Sequence, residues 1–142
     1  MIQSACTELQ TNASVARECT NISITNNSLT VSALETQNVE AIFIQAGNQI
    51  VIDGNKIQSN NATYIGSINI APYTHLTVVR NAKDITVIDN VINGGKIIAV
   101  PNLNGNLIIK NNLIDGKSLT ADLLYIDPNV LTADRLIYVA GN

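Results

Sequence analysis

The sequence predicts an all-β protein, a right-handed parallel β-helix of about five coils with three strands in each coil. Two observations predict this fold: a short motif recurs four times without gaps, and asparagine occupies one position of every copy. The chain has 142 residues, enough for one domain with a sizeable core. Aromatic residues make up only 4% of the chain and Trp is absent, so we expect an aliphatic core.

The repeated motif reads apolar, any, apolar, any, turn residue, Asn, any, apolar. Apolar residues at a period of two indicate a strand with one buried face. Successive copies start 28, 35 and 22 residues apart, which excludes repeats of constant period. A fifth half-copy is expected to begin at Leu136. The four complete copies start at Ile22, Ile50, Ile85 and Leu107.

The turn inside the motif is predicted to bend sharply and to hold a ladder of amides. Its fifth position carries residue types that tolerate a left-handed backbone, namely Asn26, Gly54, Asp89 and Asn111. The sixth position is always asparagine. We expect each amide there to bond the coils above and below it, as in stacked cross-β arrays. The predicted ladder consists of Asn27, Asn55, Asn90 and Asn112.

A third apolar strand is expected between successive copies, in the segments 41–44, 68–70, 96–100 and 123–126. The alternative fold is a β-sandwich, whose strands and turns have similar spacing. Four gap-free copies with asparagine at the same position favour the β-helix.

Residues 1–19 lack the motif and are predicted to form an N-terminal cap, with the β-helix at 20–142. A solenoid needs its end strands covered, because exposed edges aggregate. Ser4 could begin a short helix running through Leu9. Cys6 and Cys19 fit either one disulfide or two free thiols.

Composition argues against several classes of partner. A net charge of −3 disfavours nucleic acid, whose binding usually needs a basic face. With one His and no CxxC spacing, neither a metal site nor another cofactor is expected. No apolar run approaches the ~20 residues of a membrane span, and the first 20 residues lack the pattern of a signal peptide.

The runs QIVIDGNKI, ITVIDNVI and NLIIKNNLI resemble the coils of the pectate-lyase-like superfamily of right-handed parallel β-helices. The resemblance covers roughly residues 20–139 and concerns the fold, because the motif is structural. The superfamily includes pectate lyases, polygalacturonases and phage tailspikes. Similarity to tailspikes and tail fibres implies a homotrimer of parallel subunits at an extracellular location or on a virion surface.

Enzymes of this superfamily cluster acids on an outward face, and glycoside hydrolysis needs two carboxylates at a defined separation. The sequence offers no such cluster on the predicted strands. The longest insert runs from Ala71 to Lys83, and loops on a rigid scaffold often carry function. His75, Arg80 and Asp84 in and beside it are weak catalytic candidates, with a solvated loop as the alternative.

The outward face of the third strand is predicted to be neutral and partly aromatic. Aromatic rings stack on sugars and amides bond hydroxyls, so this face suits a glycan. It equally suits a subunit interface, where aromatics are enriched and charges depleted. Val79, Ile88 and Ile97 are expected to be exposed, which favours an interface. The predicted face consists of Phe43, Gln45, Ser67, Asn69, Tyr125 and Asp127.

The sequence therefore favours a non-catalytic β-helical module of a phage tailspike, tail fibre or surface adhesin, which assembles as an oligomer and contacts polysaccharide. The second hypothesis is a polysaccharide lyase or glycoside hydrolase, or a fragment of one. The third is a solitary scaffold with no ligand.

Overall fold

The protein is represented by a computed structural model that describes residues 2–4, 20–31, 40–59, 67–71, 73–75, 78–80, 82–99, 104–115, 123–126 and 136–142. These residues form strands and contain no helix, which confirms the prediction of an all-β protein. In chain order the strands are β1 (Ile2–Ser4), β2 (Thr20–Thr25), β3 (Ser28–Val31), β4 (Ile42–Ile44), β5 (Gly47–Asp53), β6 (Lys56–Ser59), β7 (Ile68–Ile70), β8 (Tyr73–His75), β9 (Val78–Arg80), β10 (Ala82–Ile88), β11 (Val91–Asn93), β12 (Ile97–Ala99), β13 (Asn104–Lys110), β14 (Leu113–Asp115), β15 (Leu124–Ile126) and β16 (Ile137–Ala140).

Three parallel sheets contain all of these strands except β8 and β9. Sheet A has the order β1-β4-β7-β12-β15, sheet B the order β2-β5-β10-β13-β16, and sheet C the order β3-β6-β11-β14. Every neighbouring pair within them is parallel. The chain visits A, B and C in turn, and each visit adds a strand beside the previous one. An antiparallel hairpin of β8 and β9 is inserted between β7 and β10.

The register of sheet B aligns the four predicted copies, because Ile22, Ile50, Ile85 and Leu107 pair in sequence. The fifth copy begins one residue later than expected: Leu107 pairs with Ile137. The prediction of Leu136 was wrong because that register would turn Tyr138 inward, whereas Tyr138 is 45% exposed. The correct register places Gly141 and Asn142 at the turn and asparagine positions.

The core lies between the three sheets and consists mainly of isoleucine. Because like residues pair with like on neighbouring strands, branched aliphatic side chains fill the part of the interior that the structure describes. Each fully buried isoleucine stabilises the fold by roughly 1.5–3 kcal/mol relative to exposure. Ile97, expected on the surface, is fully buried, since it pairs with Ile68 and points inward. The largest fully buried side chains are Ile42, Ile44, Ile50, Ile52, Ile68, Ile70, Ile85, Ile92, Ile97, Leu107 and Ile109.

The predicted asparagine ladder is present and has a fifth member, Asn142. Asn90 Oδ1 accepts from Asn55 N at 3.0 Å and from Asn55 Nδ2 at 2.9 Å. Asn90 Nδ2 donates to Asn112 Oδ1 at 2.9 Å and to Ile52 O at 3.0 Å. The three buried ladder residues, Asn55, Asn90 and Asn112, thus have hydrogen-bonded amides, which is the condition for placing polar groups in a core.

The turn beside the ladder is left-handed, as predicted. The φ angles are 55° at Asn26, 61° at Gly54, 54° at Asp89 and 55° at Asn111. A second left-handed column, which the sequence did not reveal, lies near the other end of the sheet B strands. Its members are Asn21, Gln49, Asp84 and Gly105.

The N-terminal segment is described only in part. Residues Ile2–Ser4 pair with Ile42–Ile44 as the first strand of sheet A, so Ser4 lies in a strand. The rest of the predicted cap, including the helix expected up to Leu9 and both Cys6 and Cys19, lies outside the described residues. No helix in the described part is long and apolar enough to cross a membrane.

Candidate functional site

The outward face of sheet A brings three of the predicted residues into one column. Phe43 pairs with Asn69 on the neighbouring strand, and Tyr125 follows two strands further on. Adjacent strands lie about 4.8 Å apart, so Phe43 and Tyr125 are separated by roughly 14 Å. Phe43 and Asn69 are partly exposed and Tyr125 is 39% exposed. We call this column the A face.

Asn69 is held in place by a residue that the sequence analysis did not single out. Its Nδ2 donates to Glu40 Oε1 at 3.2 Å, and its Oδ1 is buried without a partner. Glu40 lies just before β4 and is 29 residues from Asn69 in the sequence. The spacing of the motif carries no signal for this contact, because loops of unequal length separate the two strands.

Two other predicted members of the face lie just outside the strands of sheet A. Gln45 directly follows β4 and is partly buried. Ser67 was expected to point outward but is only 1% exposed. It lies where the chain enters sheet A, so closely against Gly95 that a Cβ at Gly95 would overlap Ser67 Oγ. The prediction for Ser67 was wrong because strand alternation does not extend into this corner. Asp127 lies outside the described residues.

The three weak catalytic candidates lie on different elements. His75 ends β8 and Arg80 ends β9, and the hairpin pairs His75 with Val78 and Tyr73 with Arg80. The side chains of His75 and Arg80 are not among those described. Asp84 belongs to β10, where its Oδ1 accepts a hydrogen bond from Asn106 N at 2.9 Å. This bond joins neighbouring strands of sheet B and gives the Asp84 carboxylate a structural role.

The structure describes the side chains of some, but not all, of the apolar residues that were expected to be exposed. Ile88 is partly exposed on sheet B, and the side chain of Val79 lies outside the described set. Among the described residues, no group of three or more His, Cys, Asp or Glu side chains is arranged to hold a metal ion.

No protein-family model, curated protein or solved structure matches this chain. The A face offers two aromatic rings, one amide and the Glu40 carboxylate that holds this amide. Such a set can stack on flat apolar surfaces and exchange hydrogen bonds with hydroxyl groups.

Proposed function

We propose that the chain is a right-handed parallel β-helix of the pectate-lyase-like superfamily and a non-catalytic module of a phage tailspike, tail fibre or surface adhesin. We further propose that the A face contacts polysaccharide outside the cell or on a virion. The observation that carries this proposal is the column of Phe43, Asn69 and Tyr125 on one outward face.

The strand order supports the helical path. Parallel neighbours need a crossover connection, and here each crossover passes through the other two sheets. Crossovers between parallel strands are right-handed in nearly all proteins. The asparagine ladder supports the same path, since each coil bonds the next at the same corner.

The A face suits a sugar polymer because it combines rings with a fixed amide. Phe43 and Tyr125 are far enough apart to lie under different sugar rings of one chain. Asn69 lies between them, and its bond to Glu40 limits the rotation of the amide. An ordered polar group loses less conformational entropy when it binds a hydroxyl.

A non-catalytic role is favoured by the charges of the described residues near this column. Glycoside hydrolysis needs a pair of carboxylates roughly 5–9.5 Å apart. Glu40 contacts the column through Asn69 Nδ2, so this carboxylate holds an amide in place. Asp84, the described acid among the catalytic candidates, is bonded to the backbone of Asn106 on sheet B.

The homotrimer that the resemblance implies would use the same neutral surface. Three-fold symmetry with parallel subunits brings identical residues together at one level, and like charges there would repel. Phe43, Asn69 and Tyr125 are uncharged and tolerate such contacts. Glycan and trimer contact are therefore competing uses of this face, and we propose the glycan.

Affinity electrophoresis tests the glycan proposal, using gels that contain polygalacturonate, alginate or dextran. We expect one polymer to retard the wild-type chain, and Phe43→Ala and Tyr125→Ala to reduce that retardation at least fivefold. Val91→Ala on sheet C, also an exposed valine, is the matched control and should migrate like wild type. Equal retardation of all variants contradicts the A face as the site. New reducing ends or unsaturated products in the gel polymer would favour the enzyme instead.

A further inference from the structure

Outward side chains of sheet B form two columns, which together we call the B face. The exposed Asp84 of β10 lies beside them, two residues before Thr86. Each column takes one residue from each of the strands β2, β5, β10, β13 and β16, with β10 at the centre. The first column is Ser23, Val51, Thr86, Ile108 and Tyr138, and the second is Thr25, Asp53, Ile88, Lys110 and Ala140.

Two of these ten residues are charged, and their positions are symmetric. Asp53 lies on β5 and Lys110 on β13, one strand to either side of Ile88 on β10. Two strand spacings, roughly 10 Å, separate their backbones. Neither side chain has an ion-pair partner among the described residues. The B face therefore presents one charge of each sign across a central apolar residue.

The rest of the B face is apolar or carries small hydroxyl side chains. Val51 is 36% exposed and Tyr138 45% exposed, while Ile88 and Ile108 are partly exposed. Single exposed apolar residues are ordinary, but a contiguous apolar surface marks an interaction site. These four residues lie on adjacent strands and form such a surface.

We propose that the B face binds a second copy of this chain about a two-fold axis parallel to β10. The rotation places β5 of one copy over β13 of the other, and β10 over β10. Asp53 then faces Lys110 of the second copy, and Lys110 faces Asp53 of the second copy. Ile88 packs on Ile88 of the second copy at the axis, and Val51 packs on Ile108 of the second copy.

The two charges select this arrangement over a parallel one. In the alternative arrangement, two copies pack face to face with the strand order of sheet B running in the same direction in both. Asp53 would then face Asp53 and Lys110 would face Lys110. Like charges directly opposite each other destabilise a contact, and opposite charges stabilise it. The proposed rotation also brings the exposed Asp84 of β10 opposite Asp84 of the second copy, which is one unfavourable pair against two favourable ones. A closed two-fold contact also uses one patch for both subunits, as the symmetric positions of Asp53 and Lys110 require.

The size of the B face predicts a weak association. Five strands of about six residues cover roughly 20 Å by 20 Å, or about 400 Å² on each subunit. A stable interface buries about 800 Å² on each partner. We therefore expect a dissociation constant on the order of 0.1 mM, rising with salt concentration because the charged pairs stay partly in water.

Charge reversal with sedimentation equilibrium between about 10 µM and 1 mM tests this contact. Wild type should pass from monomer to dimer, whereas Asp53→Lys and Lys110→Asp should each have dimerisation weakened at least tenfold and stay mostly monomeric at about 0.1 mM. An equimolar mixture of the two variants should dimerise again, because every facing pair is then of opposite sign. The double variant carrying both reversals should also dimerise. Lys56→Asp on sheet C is the matched control and should behave like wild type.

Three outcomes would overturn the proposal: a wild-type monomer up to 1 mM, a trimer, or a dimer that neither single reversal weakens. Circular dichroism of each variant establishes that it is folded. The equimolar mixture then tests whether two variants that dimerise poorly alone can dimerise with each other. The contact is independent of the glycan proposal. Retardation by polysaccharide depends on Phe43 and Tyr125 on the A face, and sedimentation depends on Asp53 and Lys110 on the B face.

Discussion

Asn55 donates two hydrogen bonds to the same atom of Asn90, from its backbone N at 3.0 Å and from its Nδ2 at 2.9 Å to Oδ1. Both residues are 0% exposed. The side-chain amide of Asn90 thus accepts hydrogen bonds from the turn between β5 and β6, as a backbone carbonyl does in an ordinary turn. The same pair of hydrogen bonds joins Asn112 to Asn142: the backbone N and Nδ2 of Asn112 donate to Asn142 Oδ1 at 3.0 and 2.9 Å.

Replacing the central ladder amide should destabilise the protein strongly. In Asn90→Ala, the backbone N and Nδ2 of Asn55 lose their acceptor inside the core. Buried unsatisfied groups cost about 1–3 kcal/mol each, so we expect a loss of about 3 kcal/mol or more in the free energy of unfolding. Urea denaturation measures it. Asn27→Ala, at the partly exposed end of the ladder, should cost clearly less, and equal costs would contradict a cooperative ladder.

Asn90→Asp should make stability depend on pH. The carboxyl group has the shape of the amide but loses the donors to Ile52 O and Asn112 Oδ1. Burial beside these oxygens disfavours the charged form, so the folded pKa should lie above the unfolded value of about 4. Stability should then be greatest below pH 4 and fall as pH rises towards the folded pKa.

Urea denaturation of Asn90→Asp at pH 3.5 and pH 7 measures this dependence. Subtracting the wild-type change removes the effect of the other carboxyl groups. A difference of zero would mean that water reaches the introduced carboxylate, and greater stability at pH 7 would mean that the two donors of Asn55 stabilise its charged form.

Gly54→Ala should destabilise the turn for two separable reasons. Gly54 has a φ of 61°, where alanine is strained by about 1–2 kcal/mol. A Cβ there would also lie 2.6 Å from Asn26 Oδ1. Asn26→Gly removes that oxygen and keeps the left-handed conformation. In a double-mutant cycle, Gly54→Ala should therefore cost less in the Asn26→Gly background, and additive costs would exclude the clash.

Neighbouring residues of β5 should respond very differently to truncation. Ile52 is 0% exposed and Val51 is 36% exposed, because successive side chains point to opposite faces. Ile52→Ala should cost about 2–5 kcal/mol and Val51→Ala less than about 1 kcal/mol. Thermal or urea denaturation measures both, and similar costs would contradict the assigned register.

Much of the repeat could be read from the sequence because its determinants are local. Alternation within one strand indicated which side chains are buried, as Ile50 and Ile52 show. Residue types at the turn indicated its left-handed backbone, which Asn26 and Gly54 adopt. The asparagine position predicted the ladder, since the same corner recurs in each coil.

The candidate surfaces were less predictable. Glu40 reaches Asn69 across 29 residues, and Ser67 turns inward at a corner where alternation ends. The fifth copy was displaced by one residue, which concealed Asn142 as a ladder member. In each case the contact depends on how a loop of variable length returns the chain to its sheet.

The sequence by itself determined the all-β class, the four repeats, the left-handed turns and the amide ladder, because these follow from residues within eight positions of one another. Only the tertiary structure decided which outward residues share a face. Asp53 and Lys110 are distant in the chain yet lie two strands apart, since parallel pairing places neighbouring strands about 4.8 Å apart whatever the length of chain between them. Because the loops differ in length, this constant spacing between strands is not visible in the sequence, and it arises only from the parallel pairing of the strands.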